Sequence, residues 1–157
     1  LDRTIAQFEP EPQAFRDAVA RFLKSLPIHV WLDGGRLAVA HAGIKEGMLG
    51  RSSGDVRRFC LYGETSGETD KFGLPIRYHW AVEYRGATAV VYGHTPVPDA
   101  DWVNNTICID TGCCFGGKLT ALRWPEREIV TVPAADIYTM PVRPFGHPPP
   151  RPGVVVG

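Results

Sequence analysis

No stretch of this chain approaches the ~20 consecutive apolar residues that a membrane-spanning helix needs, and its N-terminal segment has no apolar core of a secretory leader. The expectation is a cytoplasmic protein with no membrane partner. Net charge is missing too: 17 basic side chains stand against 17 acidic ones, so no global basic field holds a nucleic-acid backbone and any such contact is local. Cysteine is scarce. Cys60, Cys108, Cys113 and Cys114 form no Cys-x-x-Cys pair, which argues against a zinc ribbon, and their apolar settings argue against a disulfide framework. An initiator methionine is absent at Leu1, and the chain runs almost directly into an amphipathic pattern, which reads as a piece of a longer polypeptide.

What is present suits one globular domain, since 44% of 157 residues are apolar. Phe15, Val19, Phe22, Leu23 and Leu26 recur at helical spacing between Pro12 and Pro27, predicting a surface helix with one buried stripe. Residues 28–32 and 36–40 read as strands joined by Asp33-Gly34-Gly35, where glycine accepts positive φ. The stretch from Gly43 to Gly86 has poor periodicity beyond a short helix near 55–61, with Asp55 as its expected cap, and a long irregular stretch is usually functional. Residues 87–92 and 106–110 are apolar strands, and 118–124 with 128–132 form a hairpin through Pro125-Glu126-Arg127. Six of the 14 prolines fall between Pro141 and Pro152, so residues 135–157 are expected to be a linker or mobile tail that donates no regular ladder. The domain proper is residues 1–134.

The chemistry-bearing pattern is a set of polar residues where apolar strands stop: His41, His94 and Asp110. Strand ends converge, imidazole is a common ligand for borderline divalent metals, and Ala42-Gly43 and Gly93 permit close approach. Spacing alone leaves a structural histidine open. Arg51, Arg58 and Arg77 are candidate phosphate clamps from the irregular stretch, with a solvated surface as their alternative. His29, His79 and His147 read as structural, surface and tail residues, and the four tryptophans as packing groups that could also stack bases.

Two motifs, His41-Ala42-Gly43 after a strand and Tyr92-Gly93-His94-Thr95-Pro96-Val97, resemble the C-terminal histidine motifs of calcineurin-like metallophosphoesterases. Further strings, Leu61-Tyr62-Gly63-Glu64-Thr65, Gly67-Glu68-Thr69-Asp70, the run from Asn104 to Gly112 and that from Phe115 to Arg123, resemble the phosphatase module of bacterial polynucleotide kinase-phosphatases over roughly residues 1–134. The resemblance implies an α/β fold of packed β-sheets flanked by helices, represented here by its C-terminal half. It also implies a binuclear-metal phosphoesterase, manganese- or nickel-supported with two ions per complete site, that acts on phosphate esters, RNA ends and 2′,3′-cyclic phosphates. In this reading His41 and His94 are ligands of the second metal, Asp110 is a catalytic residue that orients a ligand histidine or limits which ester enters, and Arg51 and Arg77 bind substrate. Kinase and nucleotidyltransferase modules of the parent chain are the implied partners.

Three family motifs, Asp-x-His, Gly-Asp-x-x-Asp-Arg and Gly-Asn-His, are absent, and Gly54-Asp55-Val56-Arg57-Arg58 lacks the second Asp of the middle one. The expected consequence is half an active site and an inactive fragment. The alternatives are a protein-serine/threonine phosphatase or dinucleoside-tetraphosphate hydrolase of the same superfamily, which share the two histidine motifs, and a non-catalytic fragment or interaction module.

Overall fold

A computed structural model describes residues 2–154. Short apolar runs build a central five-stranded sheet. Its strands are β1 (His29–Leu32), β2 (Leu37–Ala40), β5 (Ala89–Tyr92), β6 (Trp102–Val103) and β7 (Thr106–Cys108), in the order β1-β2-β5-β7-β6. The three central strands β2, β5 and β7 are parallel, and β1 and β6 pair antiparallel at the edges. The Asp33–Gly35 turn joins β1 to β2 as expected: all three residues have positive φ, at 52°, 60° and 93°, and the register sets His29 opposite Ala40.

Each strand sends alternate side chains to opposite faces. Ala38, Ala40, Val90, Tyr92 and Cys108 pack on one face against Val56, Phe59 and Cys60 of helix α3 (Gly54–Tyr62) and against Trp80, Ala81 and Tyr84. Trp80 is the centre of this layer, with its ring 4.9 Å from Tyr92, 5.8 Å from Phe59 and 6.0 Å from Tyr84. Leu37, Ala89, Val91 and Ile107 form the other face, with Leu122 and Trp124 against it from the hairpin of β8 (Lys118–Arg123) and β9 (Glu128–Pro133). The result is the α/β arrangement of a mixed sheet between covering elements.

Trp80 also fixes the loop after β2. Gly43 has φ +124°, and a Cβ there would overlap the Trp80 indole. Gly43→Ala is therefore expected to lose about 3 kcal/mol or more of unfolding free energy, from backbone strain and core displacement together. Urea denaturation reads this directly; a loss below about 1 kcal/mol would contradict it.

Several local expectations are corrected. The expected helix is present as α2 (Gln13–Ser25), preceded by a further helix α1 (Asp2–Phe8), but its stripe is not buried: α2 has no buried residue, and Phe22 is 62% and Leu23 54% exposed. Its apolar stripe exists, but the core of this chain does not cover it. Helix α3 is capped by Ser53, whose Oγ accepts from the Val56 N–H at 3.4 Å, while Asp55 in the first turn pairs with Arg58. The irregular stretch contains an antiparallel pair, β3 (Thr65–Thr69) with β4 (Pro75–Arg77), closed by Asp70, whose Oδ1 accepts from the Phe72 and Leu74 N–H groups.

The proline-rich segment forms no helix or strand between residues 141 and 154, as its missing N–H donors require. It nevertheless lies along the body of the protein. The Gly146 N–H donates to the Pro96 carbonyl at 3.3 Å and the His79 N–H to the Pro149 carbonyl at 2.8 Å. Arg143 pairs with Asp70 at 2.9 Å, and Arg151 with Glu64 and Glu83 at 3.1 and 3.0 Å. Among the described residues no helix is long and apolar enough to cross a membrane.

Candidate active site

Parallel strands end along the same edge of a sheet, and in open α/β sheets that edge is where ligands bind. His41 follows β2, His94 lies two residues past β5, and Asp110 two past β7, so topology alone gathers them. The Gly93 N–H donates to the His41 carbonyl at 2.8 Å and the Val97 N–H to the Asp110 carbonyl at 3.0 Å, which ties the three strand ends together. Gly93 is needed for this approach, because a Cβ there would lie 3.0 Å from that of Asp110. His94 takes φ +75°, a left-handed conformation that costs energy outside glycine and turns its ring toward His41.

The two imidazoles meet edge to face, with centroids 4.6 Å apart and His41 Nε2 2.8 Å from His94 Nδ1. From β4, Arg77 sends Nη2 to His94 Nε2 at 2.9 Å and Nε to the Tyr62 carbonyl at 3.3 Å. A guanidinium only donates, which assigns the proton pattern of the chain: His94 Nε2 accepts from Arg77, so its Nδ1 carries the proton and donates to His41 Nε2. Burial, then the Arg77 cation and then His41, hold the His94 imidazolium down to a pKa of about 4, so His94 is neutral at physiological pH. Asp110 completes the group with Oδ1 accepting from the Gly112 N–H at 3.2 Å. All three polar residues line one cavity of about 710 Å³, whose remaining walls are largely apolar and include Leu26, Val39, Tyr92 and Ile109.

This donor set fits part of a divalent-cation site. His41 Nε2 and His94 Nδ1, 2.8 Å apart, suit adjacent positions in a ligand shell once the His94 proton shifts from Nδ1 to Nε2, since an imidazole nitrogen ligates through its lone pair. Among the described residues, however, no group of three or more His, Cys, Asp or Glu side chains is placed to hold an ion. Two ligands are fewer than the four to six typical of such ions.

The remaining candidates divide clearly. Arg77 is at the site and in contact with His94. Arg51 is exposed, donates to the Gly47 carbonyl at 3.1 Å, and is not among the residues lining the cavity. His79 is not a surface residue: it is half-buried and stacked on His147 of the proline-rich segment at 4.6 Å, and burial followed by His147 pushes it down to about 4. The sequence reading missed Arg143, which lies beside Arg77 on the wall of a neighbouring cavity. Its one available signal was a cation interrupting a proline run.

No protein-family model matches the chain. Over 150 residues it is 45% identical to the asymmetrical bis(5′-nucleosyl)-tetraphosphatase PrpE of Anoxybacillus flavithermus, an alignment covering 92% of this chain and 61% of that protein. The namesake enzymes of a Geobacillus species and of Bacillus cereus are 44% and 45% identical, with 88% and 86% of this chain and 58% and 56% of theirs covered. A solved structure described as a candidate diadenosine tetraphosphatase superposes with a TM-score of 0.53 at 25% identity, covering 74% of this chain and 55% of its own. The chain thus spans about three-fifths of the length of the curated relatives it matches. These similarities support the dinucleoside-tetraphosphate alternative rather than RNA-end repair. Together with the mixed sheet and its strand-end histidines, they point to the metallophosphoesterase superfamily.

Proposed function

We propose that this chain supplies part of the active site of a metal-dependent dinucleoside-tetraphosphate hydrolase. The observation that carries the reading is the convergence of His41 and His94 at the carboxyl edge of the sheet, in a chain 45% identical to enzymes named for that activity. The geometry supports a phosphoesterase site, and the relatives' names support the substrate class.

In this reading His41 and His94 hold a divalent cation of a two-ion site, with manganese and nickel as first choices. When bound, such ions supply an acidified water and a Lewis acid for the phosphoryl oxygens. The chain's own residues do the rest. Arg77 brings a cation to the mouth that can only donate, which suits it to a phosphate oxygen. Asp110 fixes the loop after β7 through its hydrogen bond to Gly112 and presents a carboxylate to the cavity, where it orients a ligand or restricts the entering ester. Burial keeps the His94 ring neutral, and ligation through Nδ1 then uses the other neutral tautomer, with the proton on Nε2 and Arg77 released to the substrate. The other cation ligands come from the portion of the relatives' length that this chain does not span.

The test is product analysis with the protein at the relatives' full length and added manganese. Diadenosine tetraphosphate is expected to yield adenosine mono- and triphosphate, with 2′,3′-cyclic adenosine monophosphate cleaved at least about tenfold more slowly. Preferential opening of the cyclic phosphate would restore the RNA-end reading, and cleavage of neither would remove both.

A further inference from the structure

We propose that the proline-rich segment forms one wall of a nucleotide-binding subsite beside the histidine pair, with Arg143 paired to Arg77 as a clamp on the polyphosphate and the Phe115–Phe145 pair as the platform for a base. The proposal rests on the dinucleoside-tetraphosphate reading and adds to it a specificity-determining residue, Arg143.

A second cavity, of about 370 Å³, lies between the segment and the body of the protein. That volume falls at the lower end of the range for small-molecule sites. His94 lines both this cavity and the one that holds His41 and Asp110, so a ligand with one phosphate at the histidines can continue into the second space. The entrance is cationic. Arg77 makes no carboxylate ion pair among the described residues, whereas Arg143 pairs with Asp70 at 2.9 Å, which leaves two guanidinium groups against one carboxylate. Asp70 is already committed through its other oxygen to two backbone N–H groups. Arg77 and Arg143 line the same two cavities, so a phosphate entering between them can accept from both guanidinium groups.

Beyond the arginines the walls become apolar, with Met140 beside Phe115 and Phe145, whose rings lie 5.6 Å apart at 58°. An apolar, aromatic wall next to paired cations matches the chemistry of a nucleoside polyphosphate, in which a flat base is tethered to a chain of anions. Inorganic polyphosphate would use only the arginines, and an aryl phosphate only the histidine pair. The wall is pre-formed: Phe145 packs over Gly112 so closely that a Cβ at 112 would overlap its ring, and the segment is tied down on both sides of the cavity. A ligand entering it orders little chain.

The experiment measures kcat/KM for diadenosine tetraphosphate and for p-nitrophenyl phosphate, in the protein at the relatives' full length, for wild type, Arg143→Ala, Arg143→Lys and Asp70→Asn. Arg143→Ala is expected to lower the ratio of the first to the second by ~10- to 100-fold, mainly through KM. Asp70→Asn removes the ion pair that anchors the segment but keeps the guanidinium, and should hold the ratio within about threefold of wild type. If Arg143→Ala leaves the ratio unchanged, or Asp70→Asn reproduces the loss, the clamp is wrong while the hydrolase reading stands. If wild type cleaves the aryl ester but not diadenosine tetraphosphate, the hydrolase reading fails and takes the clamp with it. Should Arg143→Ala not fold, Arg143→Lys carries the test, since it keeps the charge opposite Asp70 but loses the two-pronged donor; a ratio at least about fivefold below wild type supports the clamp and a wild-type ratio overturns it.

Discussion

Replacing His94 by alanine is expected to reduce kcat/KM for diadenosine tetraphosphate by about 10³-fold or more, and His41→Ala by a similar factor, in the protein at the relatives' full length. A loss of that size corresponds to about 4 kcal/mol of transition-state stabilisation, the scale expected when a metal-ligating or electrostatic group is removed. His94 carries three contacts at once: it faces His41 at 2.8 Å, accepts from Arg77 at 2.9 Å, and occupies the meeting point of the two cavities. Alanine would also be strained at φ +75°, so a second variant is needed to separate chemistry from folding. Asparagine tolerates the left-handed conformation and cannot replace an imidazole nitrogen in this geometry. His94→Asn should therefore melt near the wild-type temperature and still lose at least 10²-fold. Retention of a tenth of wild-type activity by His41→Ala or His94→Asn would remove these residues from the catalytic site.

The second large effect concerns the 157 residues on their own. Assayed with manganese, they are expected to show less than about 10⁻³ of the rate of the full-length protein on either diadenosine tetraphosphate or an aryl phosphate. Two imidazole nitrogens converge in the cavity and no larger ligand group assembles among the described residues, so two ions cannot be held and no acidified water is generated. Calorimetric titration of this chain with manganese should show one weak site at most, abolished by His41→Ala. Comparable rates for the two proteins would mean that catalysis uses residues other than His41 and His94. A normal rate together with a weak titration would make the reaction independent of a tightly bound ion.

Much of this arrangement could be read from local pattern. The run Ala89–Tyr92 is apolar along its whole length because both faces of this central parallel strand are buried, and Leu37–Ala40 is apolar with only Val39 exposed. Asp33-Gly34-Gly35 marked its turn because positive φ is a property of the residue itself. His41 and His94 stood out as polar residues immediately beyond such runs. Weaker local signals failed. The β3–β4 pair is held by backbone hydrogen bonds and has few apolar side chains, so no periodicity announced it, and Ser53 rather than Asp55 is the cap because the helix begins two residues earlier than an Asp55 cap would place it.

Sequence by itself determined the apolar strands, the turn at Asp33–Gly35, and that an imidazole follows each of two of those strands, because these depend on side-chain chemistry within a few residues. Only the tertiary structure decided which surfaces are covered and which distant groups meet. The amphipathic helix Gln13–Ser25 has a clear apolar stripe, yet what covers a stripe is a property of its neighbours, and here Phe22 and Leu23 stay exposed. The proline run could be read as unable to pair, but not as docked. Proline removes donors and leaves carbonyls and side chains free, and those of Pro149, Arg143 and Arg151 find partners 68 or more residues away. Arg77 and His94 come together for the same reason: contacts across sheet edges and loops are set by topology, which no single segment encodes.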